Sequence, residues 1–133
     1  LQQACAQLQL WQQKGLCNLT MSVNLSVRQF TSPTLLAEVD YLLAETNINP
    51  AQLKLEITES AIMENAESVL DLVEALRACH IHISIDDFGA GYSSLGYLHK
   101  FPVDNLKIAR SFVQASSQLS GHYYNPLIVT VVL

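Results

Sequence analysis

Three polar residues stand at or near the ends of three apolar, β-prone runs, and they are spaced 32 and 30 residues apart. They are Asn24 in the run from Thr20 to Leu25, Glu56 in Leu53 to Ile57, and Asp86 closing His80 to Asp86. An interval of about 30 residues is the length of one strand, one crossover helix and the return to a parallel strand. Helical patterns fill the gaps. Leu35, Leu36, Val39, Leu42 and Leu43 form one stripe, and Val69, Leu72, Val73 and Leu76 form another. Ser32-Pro33 reads as the first helix start and Asn65 as a cap of the second. Strand-helix alternation argues for parallel strands with helical crossovers, and so for an α/β fold. In a (β/α) barrel the chemistry sits at the C-terminal ends of the strands. The spacing therefore predicts one site assembled from several strands.

The flanks complete the pattern. Ala4, Leu8 and Trp11 lie at helical spacing in a glutamine-rich opening segment from Leu1 to Lys14, which Gly15 stops. Val103 to Ile108 reads as a fourth strand and carries Lys107. A short helix is expected over Ser93 to Lys100, ended by Phe101-Pro102, with a polar loop from Gln114 to Tyr124. The closing LIVTVVL favours a strand by local propensity.

Composition narrows the function. Half of the 133 residues are apolar and 14% are charged, which suits a packed core in one domain. A formal charge of −5 with seven scattered basic residues argues against DNA or RNA binding by a basic surface. Cys5, Cys17 and Cys79 are odd in number and lack CxxC spacing, so free thiols in a reducing cytoplasm are expected. No apolar run reaches the roughly 20 residues of a membrane span. The first residue is Leu, so the start reads as a cut. Two glycosylation sequons, at Asn18 and Asn24, are read as chance.

The densest chemistry lies in ISIDDFGAGYSSL, residues 83–95. Adjacent carboxylates at the end of an apolar run raise one another's pKa, and a bound cation removes that cost. The alternative is that one aspartate caps the turn while the other faces water. Side chains alternate along a strand, so Asp86 and Asp87 converge only if the strand ends between them and the turn bearing Gly89 and Gly91 takes Asp87. Asn24, Glu56, Asp86 and Asp87 offer only oxygen, which suits Mg²⁺ or Mn²⁺ rather than zinc or copper. Read singly, Asn24 could cap a turn, Lys107 could pair with an acid, Glu59 could serve a helix cap and Arg28 could be a surface residue. Glu56 in an apolar strand needs a partner. His80 and His82 alternate along a strand and read as ordinary strand histidines rather than a metal pair.

Four motifs occur in order: VNLSVRQF, LEITES, DDFGAGYSSL and LKIARSFV. Together they resemble the EAL domain family, the cyclic-di-GMP phosphodiesterases. The resemblance covers nearly all of residues 1–133 but not the whole family domain. It implies a partial TIM-like (β/α) barrel of the EAL type with about half the barrel strands. The segment bearing the glutamate-alanine-leucine motif and the last strands are expected to lie outside the chain. The resemblance implies two metal ions, Mg²⁺ or Mn²⁺, held by Asn24, Glu56, Asp86 and Asp87, with Asp86 between them. It implies that Lys107 contacts the attacking water or the phosphate, that Glu59 holds a loop, and that Arg28 meets a substrate phosphate. The product would be linear pGpG. It also makes LIVTVVL the start of a helix. One departure counts against turnover: the family's Lys-Ile-Asp is Lys107-Ile108-Ala109 here. A degenerate domain that binds cyclic-di-GMP or a protein partner without hydrolysis is the rival reading. Attached sensor or cyclase domains, a homodimer, and a bacterial cytoplasmic location, with or without membrane anchoring of the parent, complete the expectations.

Overall fold

The structure is a computed structural model that describes residues 1–64, 66–90, 100–111 and 130–132. The elements follow in order as α1 (Gln2–Gln13), β1 (Met21–Leu25), α2 (Val27–Phe30), α3 (Leu35–Thr46), a single 3₁₀ turn (Pro50–Gln52), β2 (Leu53–Thr58), α4 (Glu59–Glu64), α5 (Ala66–Ala78), β3 (His82–Phe88), β4 (Asn105–Ile108) and β5 (Thr130–Val132). The strands form one sheet in the order β1-β2-β3-β4-β5. The first four are parallel, and β5 runs antiparallel to β4. The chain is thus α/β, with about half the strands that a closed (β/α) barrel uses.

Strand alternation gives the sheet two unlike faces. Leu53, Leu55, Ile57, Ile83 and Ile85 point one way and are almost fully buried. They meet the stripes of the helical layer: Leu35, Val39 and Leu42 of α3, and Val69, Val73 and Leu76 of α5. α1 packs on α3 and β1 through Cys5 and Leu8. The opposite face carries Ser22, Asn24, Lys54, Glu56, Thr58, His82, Ser84, Asp86, Asn105 and Lys107.

Several boundaries differ from the sequence expectation. α2 is an added helical turn, closed by a capping box in which Ser26 Oγ accepts from Gln29 N–H and the Gln29 side chain accepts from Ser26 N–H. α4 starts directly after β2, where Thr58 Oγ1 accepts from Ala61 N–H at 3.4 Å. α3 begins at Leu35 rather than at Ser32-Pro33. Asn47, at φ 49, ends it in the left-handed region that asparagine tolerates. Residues 130–132 form a strand, which corrects the helical expectation for LIVTVVL. Thr130 and Val131 are β-branched, as is Val132, and β4 offers an edge of unpaired backbone groups on its outer side. The helix expected over Ser93 to Lys100 and the loop over Gln114 to Tyr124 lie largely or wholly outside the described residues, as does the Asn65 cap.

Polar side chains tie the layers at their edges. Gln52, buried in the turn before β2, donates to the carbonyls of Cys17 (2.7 Å) and Leu19 (3.1 Å) and accepts from Gln12 Nε2. Cys79 Sγ donates to Asp40 Oδ1 at 3.5 Å, linking the end of α5 to α3. Burial pushes the Cys79 thiol up, and the Asp40 carboxylate adds to the rise.

Ile57→Ala is expected to destabilise the fold by about 2–5 kcal/mol through lost burial and a cavity. Tyr41→Ala, at a site 62% exposed, is expected to cost no more than about 0.5 kcal/mol. Urea unfolding midpoints separate the two. A raised thiol pKa leaves less thiolate at a given pH, so Asp40→Asn is expected to speed alkylation of Cys79 at about pH 8. An unchanged iodoacetamide rate would show that the carboxylate does not restrain this thiol.

Candidate functional site

The parallel register brings four polar residues into one row. Asn24 pairs with Glu56, Glu56 with Ser84, and Ser84 with Asn105, one residue per strand from β1 to β4. Register partners in a parallel sheet share a face, so the row runs straight across the polar side. Its outer member, Asn24, is exposed. Its inner members are covered: Glu56 is 3% exposed, Ser84 1% and Asn105 8%. The 30-residue period in the sequence is this row together with Asp86, which stands two residues beyond Ser84 on β3.

Glu56 is the costly member, because a carboxylate out of water needs a partner. Lys107 supplies one: its ammonium donates to Glu56 Oε2. Glu56 lies on β2 and Lys107 on β4, so the pair reaches across β3. Among the described residues, Glu56 Oε1 and Ser84 Oγ are buried with no hydrogen-bond partner.

Asp86 and Asp87 behave differently from the expectation that the strand ends between them. β3 continues to Phe88. Ile85 pairs with Leu106 and Phe88 with Ile108, so two residues of β3, Asp86 and Asp87, oppose the single Lys107 of β4. This is a β-bulge, which re-aims side chains without ending the ladder. Asp87 takes φ 56, a left-handed conformation that aspartate tolerates, and its N–H donates to Asp86 Oδ1 at 2.9 Å. Asp86 is half-buried on the polar face and Asp87 is exposed.

Glu59 opens α4 and is buried. Its Oε2 accepts from Gly89 N–H at 2.8 Å, joining the start of α4 to the turn after β3. Gly89 has φ 87, a conformation that glycine adopts at no steric cost. Arg28 is exposed in α2, next after β1. Ala109 is buried, and its N–H donates to the Phe88 carbonyl at 2.8 Å. Gly91, Ser93 and Ser94 lie outside the described residues.

The fit to a divalent cation is mixed in one respect and good in two. The donors are all oxygen, and a buried carboxylate oxygen lacks a partner. Yet no three His, Cys, Asp or Glu side chains among the described residues are grouped closely enough to hold an ion. Glu56 and Asp86 share the polar face, but the exposed Asp87 does not close a three-carboxylate cluster with them. The oxygen row with Lys107 beside it does not by itself make up a cation site among the described residues. A cleft of about 490 Å³ lies elsewhere, between α2, the following turn and α5, and includes none of these residues. The sequence reading passed over Ser84. Its signal was present: Ser84 is the middle polar position of the alternating run His82-Ile-Ser-Ile-Asp86.

The EAL domain profile matches residues 1–129. The chain belongs to the EAL domain family. A bifunctional diguanylate cyclase/cyclic di-GMP phosphodiesterase, MucR of Pseudomonas aeruginosa, is 43% identical over 113 residues, which is 85% of this chain and 16% of that protein. The chain thus spans about a sixth of the length of this curated relative. A solved structure of the MucR phosphodiesterase in complex with c-di-GMP superposes with a TM-score of 0.80 at 41% identity, covering 87% of this chain and 47% of that one. The EAL domain of Mycobacterium smegmatis DcpA gives 0.76 at 31% identity, covering 90% and 60%. No helix of the described residues is long and apolar enough to cross a membrane.

If Lys107 is what keeps Glu56 charged and buried, Lys107→Met should cost about 3 kcal/mol, the low end for breaking a buried pair. The low end applies because the Lys107 side chain keeps 23% of its surface exposed. Adding Glu56→Gln should return more than about 1 kcal/mol of it. A double-mutant cycle in urea showing no coupling would refute the assignment.

Proposed function

We propose that this chain is part of a metal-dependent phosphodiesterase that opens cyclic-di-GMP to linear pGpG. The observation that carries the reading is the buried Glu56 carboxylate on the polar strand row, with Lys107 against it and Asp86 on the same face of the next strand, opposite Thr58. Family membership and the c-di-GMP complex of the MucR neighbour support the ligand class. In this reading Asn24, Glu56, Asp86 and Asp87 hold one or two Mg²⁺ or Mn²⁺ ions, together with donors from elsewhere in the complete domain. When bound, such ions supply Lewis-acid polarisation of the phosphoryl group and acidify a water. Hydrolysis adds water across one phosphodiester: a P–O bond to the water forms, the P–O3′ bond breaks, and a proton passes to the departing oxygen. Lys107 places an ammonium where negative charge grows on the phosphoryl oxygens. Arg28 meets a substrate phosphate. Glu59, through Gly89 N–H, steadies the turn that follows the aspartates.

A specific observation favours a second reading. Ala109 stands where the family resemblance expects an acid, and its backbone is committed to the Phe88 carbonyl. A domain that binds cyclic-di-GMP, or a protein partner, without turnover would tolerate that loss. In either case the chain is read as a partial EAL domain of a longer, cytoplasmic signalling protein. Attached sensor or cyclase modules and a homodimer are compatible with this reading, while the net charge of −5 disfavours DNA and RNA as partners.

The test is a Mg²⁺/Mn²⁺-dependent cyclic-di-GMP hydrolysis assay on the full-length protein, with Asp86→Asn as control. Turnover is expected and should fall by at least about 100-fold in the control, the scale on which a positioned catalytic group acts. Binding without turnover would replace the enzyme reading with the sensor. The 133-residue chain alone is expected to bind metal weakly, to hydrolyse little and to self-associate through its open strand edges. Ordinary enzymatic turnover by the chain alone would refute that.

A further inference from the structure

We infer that Ser84 is a positioning residue for Glu56: its hydroxyl donates to Glu56 Oε1, directly or through one buried water, and fixes the oxygen that Lys107 leaves free. The inference rests on reading Glu56 as a cation ligand, and it deepens that reading.

Two orphaned atoms carry it. Glu56 Oε1 and Ser84 Oγ are both buried without a hydrogen-bond partner among the described residues, in side chains 3% and 1% exposed. They belong to register partners on adjacent parallel strands, on the same face. Their chemistry is complementary. An ionised carboxylate only accepts, whereas a hydroxyl can rotate to donate. Buried polar atoms left unpaired are expensive, so an unpaired donor beside an unpaired acceptor marks a link that one side-chain rotation or one water completes.

The layout explains why a serine fits here. The ion pair from Lys107 on β4 to Glu56 on β2 crosses β3, and Ser84 is the β3 member of the row it crosses. A large side chain would stand in the way. Small size alone would be served equally by alanine, and the hydroxyl adds a second hold on the carboxylate. With Oε2 on the lysine and Oε1 on the serine, Glu56 cannot swing about its last torsion. Its remaining lone pairs then face one direction. Groups that orient a metal ligand in this manner typically change metal affinity by about 10–100-fold when removed.

The test is calorimetric titration of Mn²⁺ into the full-length protein that carries this chain, comparing wild type, Ser84→Ala, Ser84→Thr and Glu56→Ala. Ser84→Ala is expected to weaken Mn²⁺ binding about tenfold, with only a small fall in the metal-free melting temperature, because Lys107 still holds Glu56. Ser84→Thr, which keeps the hydroxyl, is expected to restore most of the affinity. Glu56→Ala is expected to abolish binding at this site. Ser84→Ala binding as wild type while Glu56→Ala fails would overturn the inference and leave the metal reading standing. Equal weakening by Ala and Thr would also overturn it, since the hydroxyl would not be the agent. Wild-type binding by Glu56→Ala would overturn the metal reading and the inference together. Should Ser84→Ala not fold, Ser84→Cys decides: its weaker donor must lower the affinity, and an unchanged affinity refutes the role.

Discussion

A carboxylate removed from water is stable only beside a positive charge or several donors, and in this protein that demand falls on Glu56. Lys107 meets it from two strands away. The reach imposes conditions on everything between. β2, β3 and β4 must keep their order and register, β3 must carry a small residue at the crossing point, and β4 must place Lys107 on the polar face. Ser84 and the register of Asn105 against it satisfy these conditions. The pair therefore acts as a check on sheet geometry as well as a local interaction.

The bulge in β3 follows from the same region. Asp86 and Asp87 together oppose the single Lys107 in the strand register, while the Lys107 ammonium itself pairs with Glu56 across the sheet. Without the extra residue, alternation would put the two aspartates on opposite faces and leave Phe88 out of phase with Ile108. The left-handed turn at Asp87 absorbs that residue, and the strand resumes pairing at Phe88. Just beyond, the Phe88 carbonyl takes the Ala109 N–H and Glu59 takes the Gly89 N–H. The polar end of the sheet is thus held by β2, α4, β3 and β4 at once.

A division of labour between the two faces keeps this polar arrangement affordable. The isoleucines and leucines of β2 and β3 bury their side chains against α3 and α5, and that apolar layer supplies the bulk of the driving force for folding. The polar face is free to carry groups that cost stability. Proteins collect such strain where they bind and react. The EAL relatives include a MucR phosphodiesterase solved in complex with c-di-GMP.

Much of this was written in local pattern. The stripes of α3 and α5 and the stop at Gly15 are short-range properties, and each predicted its element within a few residues. The 30-residue spacing of Asn24, Glu56 and Asp86 set them on three successive parallel strands. The Ser26–Gln29 capping box is as local as the stripes, yet the helical turn of α2 that it caps was not expected from the sequence. Other features were not local. LIVTVVL was ambiguous as sequence, and the strand at 130–132 took its form from β4, which offered a pairing edge. The bulge depends on the register between β3 and β4, which no window of one strand contains. Ser84 is a small residue in an apolar run until the register sets it beside Glu56 and under the reach of Lys107. The sequence by itself determined which residues form strands and helices and which chemical groups stand at the strand ends, because propensity and periodicity act over a few residues. Only the tertiary structure decided which of those groups meet, because a buried charge chooses its partner from whatever the sheet brings across 51 residues of chain.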